Sequence, residues 1–130
     1  MYSINHVHVR SEHPEQSAEW YKKYFNAEIL SSKEVIPGTI TITLDTGGPV
    51  RLNISSQPKD SSPDTTPAIL NKLGLEHFGF QTSDIESDIN KFNKENIPVV
   101  MNVTSIPGGA KIAFIEGPDN VLIELVQPPS

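Results

Sequence analysis

His6, His77 and Glu124 are the residues whose types and spacing could hold a metal ion. Each histidine stands at the entrance of a short strand-like run, Ile4-Asn5-His6-Val7-His8-Val9-Arg10 and Leu75-Glu76-His77-Phe78-Gly79-Phe80-Gln81. The two histidines lie 71 residues apart, and the same interval carries Leu52-Asn53-Ile54 onto Ile123-Glu124-Leu125. Glu124 sits among Leu122, Ile123, Leu125 and Val126. A carboxylate in so apolar a strand is costly to bury unless it is paired or bound to a metal. Two imidazoles and one carboxylate leave coordination positions open for water or substrate, and they suit one divalent ion: Fe(II), Mn, Ni, Co or Zn. The chain has no cysteine, which excludes a thiolate zinc site and a disulfide framework.

The neighbours of these residues carry weaker signals. His8 shares the strand face of His6 and competes with it as a ligand, since His-x-His on a strand can itself bind metal. Its counterpart at the 71-residue interval is Gly79, so the repeat favours His6, and His8 is expected to line the pocket. Taken singly, His6 reads as an ordinary hydrogen-bonded strand residue, and Glu124 reads equally as a ligand and as a side chain pointing outward at a sheet edge. Their common register is what joins them. Asn53 occupies the slot equivalent to Glu124 but is neutral; it can hold a metal-bound water, serve as a weak amide ligand, or pack beside the site. Arg10 and Arg51 share the strand faces of His6 and Asn53, where they either grip an anionic substrate group or stand as solvated strand-end charges. His13 falls in a helix-start loop, where exposure is the default.

The elements that must position these residues repeat as well. Residues 3–10 alternate polar and apolar and predict a strand. Pro14 is suited to a first helical turn, and Ala18, Tyr21 and Phe25 recur at helical spacing before Asn26-Ala27 ends the helix. Strands follow over 28–35, 39–44 and 50–55, separated by turns at Pro37-Gly38 and at 45–48. Residues 57–73, rich in Ser, Pro, Asp and Thr at their start, form a linker between a first module of about 1–56 and a second of about 74–130. The second module repeats the order: a strand over 75–82, a capping box of Ser83 and Glu86, a helix face of Ile85, Ile89 and Phe92, and strands over 98–103, 110–115 and 121–126. At the 71-residue interval Pro37-Gly38 falls on Gly108-Gly109, and the 45–48 turn on 116–119. An internal repeat of this kind predicts architecture. The fold expected is α+β, with two βαβββ modules.

At 130 residues the chain is expected to form one compact domain. A net charge of −6 spread along the sequence argues against nucleic acid, which needs a basic face. No apolar stretch is long enough for a membrane span or a signal peptide core. A soluble, cytoplasmic protein with a small-molecule substrate is expected.

These residues resemble the vicinal-oxygen-chelate superfamily, which holds glyoxalase I, methylmalonyl-CoA epimerase, extradiol dioxygenases and the fosfomycin and bleomycin resistance proteins. The matching stretches are Ile4-Asn5-His6-Val7 with Ala18-Glu19-Trp20-Tyr21, Gly74-Leu75-Glu76-His77-Phe78-Gly79-Phe80, and the most specific, 113–125 with Glu124 near its end. The resemblance implies two βαβββ modules whose mixed sheets curl round a metal cup. It places His6, His77 and Glu124 on the metal ligands of the first, fifth and eighth strands, and Asn53 on the fourth-strand site. Enzymes like glyoxalase I carry glutamate at that fourth site, and epimerases like the methylmalonyl-CoA one carry glutamine. Dioxygenases and fosfomycin-modifying enzymes use the two-histidine, one-glutamate set alone. The resemblance thus implies a metal-dependent lyase or isomerase that moves a proton next to a carbonyl, with Glu124 as the proton shuttle. The alternatives are an Fe(II)-dependent extradiol-type dioxygenase on the same ligands and a metal-free binding protein of the resistance type. It also implies a homodimer, with the ligands drawn from one chain or two.

Overall fold

The computed structural model describes residues 1–130, which divide into two compact units, Met1–Thr65 and Thr66–Ser130. Each unit is one four-stranded mixed sheet with one helix, as the α+β reading expects.

In the first unit the elements are β1 (His6–Ser11), α1 (Pro14–Phe25), β2 (Glu28–Lys33), β3 (Thr41–Asp45) and β4 (Arg51–Ser56). The sheet runs β1-β4-β3-β2, with β1 and β4 parallel and the other pairs antiparallel. Strand alternation sorts the residues onto two faces. Val9, Ile42, Leu44, Leu52 and Ile54 are buried, as are Ala18 and Tyr21 of α1, which packs on β3 and β4. His6, His8, Arg10, Arg51, Asn53 and Thr43 lie on the opposite, polar face. Proline in the first turn opens α1, and Asn26 in the left-handed region (φ 55°) closes it.

The second unit has β5 (Phe78–Gln81), α2 (Ile85–Lys94), β6 (Val99–Ser105), β7 (Lys111–Gly117) and β8 (Val121–Gln127), with a short 3-10 turn, Pro118–Asn120, between the last two. Its sheet runs β5-β8-β7-β6 with the same parallel and antiparallel pattern. Ile85, Ile89 and Phe92 of α2 are buried, as are Ala113, Ile115, Ile123 and Leu125 of the sheet.

The strand registers carry the 71-residue interval pair by pair. Val7↔Leu52, His8↔Asn53 and Val9↔Ile54 become Phe78↔Ile123, Gly79↔Glu124 and Phe80↔Leu125. Thr43↔Asn53 becomes Phe114↔Glu124. Pro14, Ala18 and Tyr21 become Ile85, Ile89 and Phe92 on the helices.

Between the helix ends and the following hairpins the interval is 70. Asn26 and Asn96 take the same left-handed turn, and Ile29↔Leu44 answers to Val99↔Ile115. A second register shift in β6, between Met101 and Thr104, restores the residue lost at the helix. The hairpin turn is displaced separately, because the strand pairs that flank it, Lys33↔Thr41 and Thr104↔Ile112, are back at the interval of 71. Ile36 O accepts from Thr39 N at 2.9 Å, and Ile106 O accepts from Gly109 N at 3.2 Å. Pro37-Gly38 therefore matches Pro107-Gly108, one residue earlier than expected. Gly38 and Gly108 have φ of +84° and +99°, as the third position of a Pro-Gly type II turn requires.

Two further expectations change. Ile4 and Leu75 are exposed and precede the strands, which begin at His6 and Phe78. The Ser83–Glu86 capping box does not form. Asp84 caps α2 by accepting from Ser87 N at 3.2 Å, while Glu86 pairs with Lys111 Nζ at 2.8 Å.

Candidate functional site

His77 sits in the residue before β5, and Glu124 in the middle of β8 on the face away from α2. Their side chains meet: His77 Nε2 lies 2.9 Å from Glu124 Oε2. On the other side of the ring, His77 Nδ1 lies 2.7 Å from Glu76 Oε1. The second oxygen of Glu76 accepts from the backbone N–H of Asn71. That donation, with the hydrogen bond from His77 next, holds the Glu76 carboxyl below the ordinary glutamate range. Phe114 meets the His77 ring edge to face, with centroids 5.0 Å apart. The imidazole is thus fixed on three sides, yet its side chain keeps 27% exposure and Glu124 keeps 18%, so a ligand can reach both.

Gly79 gives Glu124 its room. The two are direct partners across the parallel β5–β8 pair. A Cβ at Gly79 would stand 3.4 Å from Glu124 O and 3.6 Å from Glu124 Oε2. A longer side chain directed toward Glu124 would enter the space the carboxylate occupies.

An imidazole flanked by two carboxylates can donate to both only with a hydrogen on each nitrogen. The Nε2–Oε2 distance also fits two neighbouring ligands of one cation. Bonds of about 2.0–2.1 Å put adjacent donors about 2.9 Å apart at right angles and about 3.4 Å apart in a tetrahedron. With Nδ1 committed to Glu76, Nε2 is the nitrogen left to ligate. The donor set therefore fits a divalent cation in place of the shared proton. Within either unit, no group of three or more His, Asp or Glu side chains is gathered closely enough to hold a metal by itself.

In the first unit His6 opens β1, and its Nδ1 lies 3.0 Å from Asn5 Oδ1. Here too the residue before the histidine holds Nδ1 and leaves Nε2 open. His8 stands beside His6 with ring centroids 6.4 Å apart, and its register partner is Asn53. Partial desolvation, then the positive charge of Arg10 and the neighbouring His6, lowers the His8 pKa, so His8 favours its neutral form. Asn53 Oδ1 is buried and has no hydrogen-bond partner. A buried acceptor without a donor is costly, and it marks the slot equivalent to Glu124 as one that a water or cation would satisfy. Arg10 donates to Ser56 O at 2.9 Å. Arg51 is drawn into a 3.4 Å ion pair with Asp45 and also donates to Gly48 O. Both guanidinium groups therefore have protein partners. His13 takes the N-cap position of α1 without a side-chain cap bond.

Sequence reasoning passed over Asn5 and Glu76. The available signal was that the residue before each histidine carries a side-chain oxygen at the same interval.

The two mixed sheets, their shared register and the histidine–glutamate pair define a class of protein. The chain belongs to the Glyoxalase/Bleomycin resistance protein/Dioxygenase superfamily, whose family profile matches residues 3–125. Among solved structures, a glyoxalase family protein from Bacillus cereus superposes with a TM-score of 0.86 at 16% identity, covering 100% of this chain and 96% of that one. A glyoxalase family protein from Enterococcus faecalis is 25% identical, with a TM-score of 0.74 and coverage of 95% and 96%. The trypanothione-dependent glyoxalase I of Leishmania major is 17% identical, with a TM-score of 0.74 and coverage of 98% and 87%. No curated protein matches the sequence. No helix is long and apolar enough to cross a membrane.

Proposed function

We propose that this protein is a divalent-metal-dependent lyase or isomerase that moves a proton next to a carbonyl on a small oxygenated substrate. His77 and Glu124 would hold the ion, with His6 as the third ligand, supplied by the same chain or by a second copy in a homodimer. The observation that carries this reading is the 2.9 Å approach of His77 Nε2 to Glu124 Oε2, with Nδ1 already engaged by Glu76. When bound, the ion supplies Lewis-acid stabilisation of an oxyanion on the substrate. Glu124, whose side chain keeps 18% exposure, would take the proton from the carbon beside the carbonyl and return it. The Phe114 ring beside His77 shields one side of the site from water. Asn53, with its unsatisfied oxygen, holds a water or a substrate hydroxyl.

A second reading has its own support. Asn53 stands at the slot where a second carboxylate, the fourth ligand, would be, which leaves two histidines and one carboxylate, the donor set of non-haem Fe(II) oxygenases.

The test is solvent exchange. Metal-loaded protein is incubated in D2O with a panel of small α-hydroxycarbonyl compounds and acyl thioesters, and deuterium at the α-carbon is followed by NMR. Exchange that disappears in Glu124→Ala supports the lyase or isomerase reading. Absence of exchange together with Fe(II)-dependent oxygen uptake overturns it in favour of the dioxygenase.

A further inference from the structure

The two units differ in charge at corresponding places. The residue that holds Nδ1 is Asn5 in one and Glu76 in the other, and the mid-strand residue is Asn53 in one and Glu124 in the other. Both amides fall in the first unit and both carboxylates in the second. Glu76 is also anchored from behind by the Asn71 N–H, in the segment leading into β5, whereas the Asn5 side chain is hydrogen-bonded to His6.

We infer that Glu76 is a positioning residue for His77: it fixes the ring with Nε2 toward Glu124 and makes it the stronger donor of the two histidines. The inference rests on the metal reading proposed above. A carboxylate accepting from Nδ1–H places the hydrogen on that nitrogen and increases the electron density at Nε2. A neutral amide oxygen in the same position sets the orientation but adds less to basicity. His77 should therefore dominate metal affinity, and His6 should contribute the weaker bond. The Asn71 contact joins the orientation of His77 to the conformation of the preceding segment, so loosening residue 71 should loosen the ring.

Two measurements test this. The first is metal-free. In a Glu124→Ala background, where nothing competes for Nε2, the 15N shifts of His77 report which nitrogen carries hydrogen in the neutral ring. The Nδ1–H form is expected with Glu76 present, and its loss in Glu76→Ala. The second is Ni2+ or Zn2+ titration by calorimetry of otherwise unaltered protein. Glu76→Ala is expected to weaken binding 10–100-fold, Glu76→Gln to keep orientation with an intermediate loss, and Asn5→Ala to weaken it less than Glu76→Ala. An unchanged tautomer together with wild-type affinity in Glu76→Ala overturns the inference while leaving the metal reading intact. A tautomer that follows Glu76 in a protein that binds neither ion upholds the positioning role and overturns the metal reading instead.

Discussion

Gly79 offers the sharpest test of how the site is built. A methyl group there would meet Glu124 O, Cβ and Oε2 at 3.4, 3.5 and 3.6 Å, all ordinary van der Waals contacts. Gly79→Ala should therefore fold normally, with stability within about 1 kcal/mol of wild type and a gain favoured by the smaller backbone entropy loss. Gly79→Val is different. Its two γ-carbons extend about 1.5 Å beyond Cβ, and β-branching leaves few rotamers to turn both of them away. A γ-carbon directed at Oε2 would close the gap to about 2 Å, far inside the 3.5–4.0 Å of a carbon contact. The carboxylate must swing away from His77, and a lost ligand should weaken Ni2+ binding at least tenfold, about 1.4 kcal/mol. Calorimetric titration of the three proteins, with thermal unfolding as a control for folding, reads the effect. Wild-type Ni2+ affinity in Gly79→Val would refute the reasoning. The first unit shows the complementary case: His8 fills the position equivalent to Gly79, and its strand partner is the shorter, neutral Asn53.

Other outcomes follow from the packing and the charges. Phe92 is 2% exposed beneath the second sheet, and Phe92→Ala should cost about 3–5 kcal/mol in urea unfolding. Asp84→Ala removes the cap of α2 and should cost about 1 kcal/mol, whereas Ser83→Ala should change little. The Lys111 hydrogen bond and charge hold the Glu86 carboxyl below its ordinary range. A folded-state pKa below the unfolded one adds stability above the unfolded value that fades as pH falls through the folded value. Glu86→Gln should thus flatten the acid limb of the stability curve below about pH 4.5, and because the pair is exposed the effect should shrink in high salt.

Much of this arrangement was legible in the chain. The 71-residue interval read from His6, Asn53, His77 and Glu124 reappears in the registers of β1, β3 and β4 against β5, β7 and β8. Strand pairing fixes register strictly, because a slip of one residue turns every side chain to the wrong face. The interval failed at the helix end and in the bulged edge strand β6. One residue is lost at the end of α2 and regained at a bulge in β6, and local sequence marks neither event. The cap of α2 went to Asp84 because its carboxylate reaches Ser87 N, while Lys111, distant in sequence, drew Glu86 away. Glu76 was passed over for a similar reason. Its role depends on Asn71 N–H and the His77 ring converging on one carboxylate, which spacing alone does not express.

Purification without chelators, followed by elemental analysis, bears most directly on whether His6, His77 and Glu124 serve one ion. Wild type is expected to carry close to one equivalent of divalent metal per site, and His6→Ala, His77→Ala and Glu124→Ala should each lose it. Equal metal content in all four proteins would contradict the shared site.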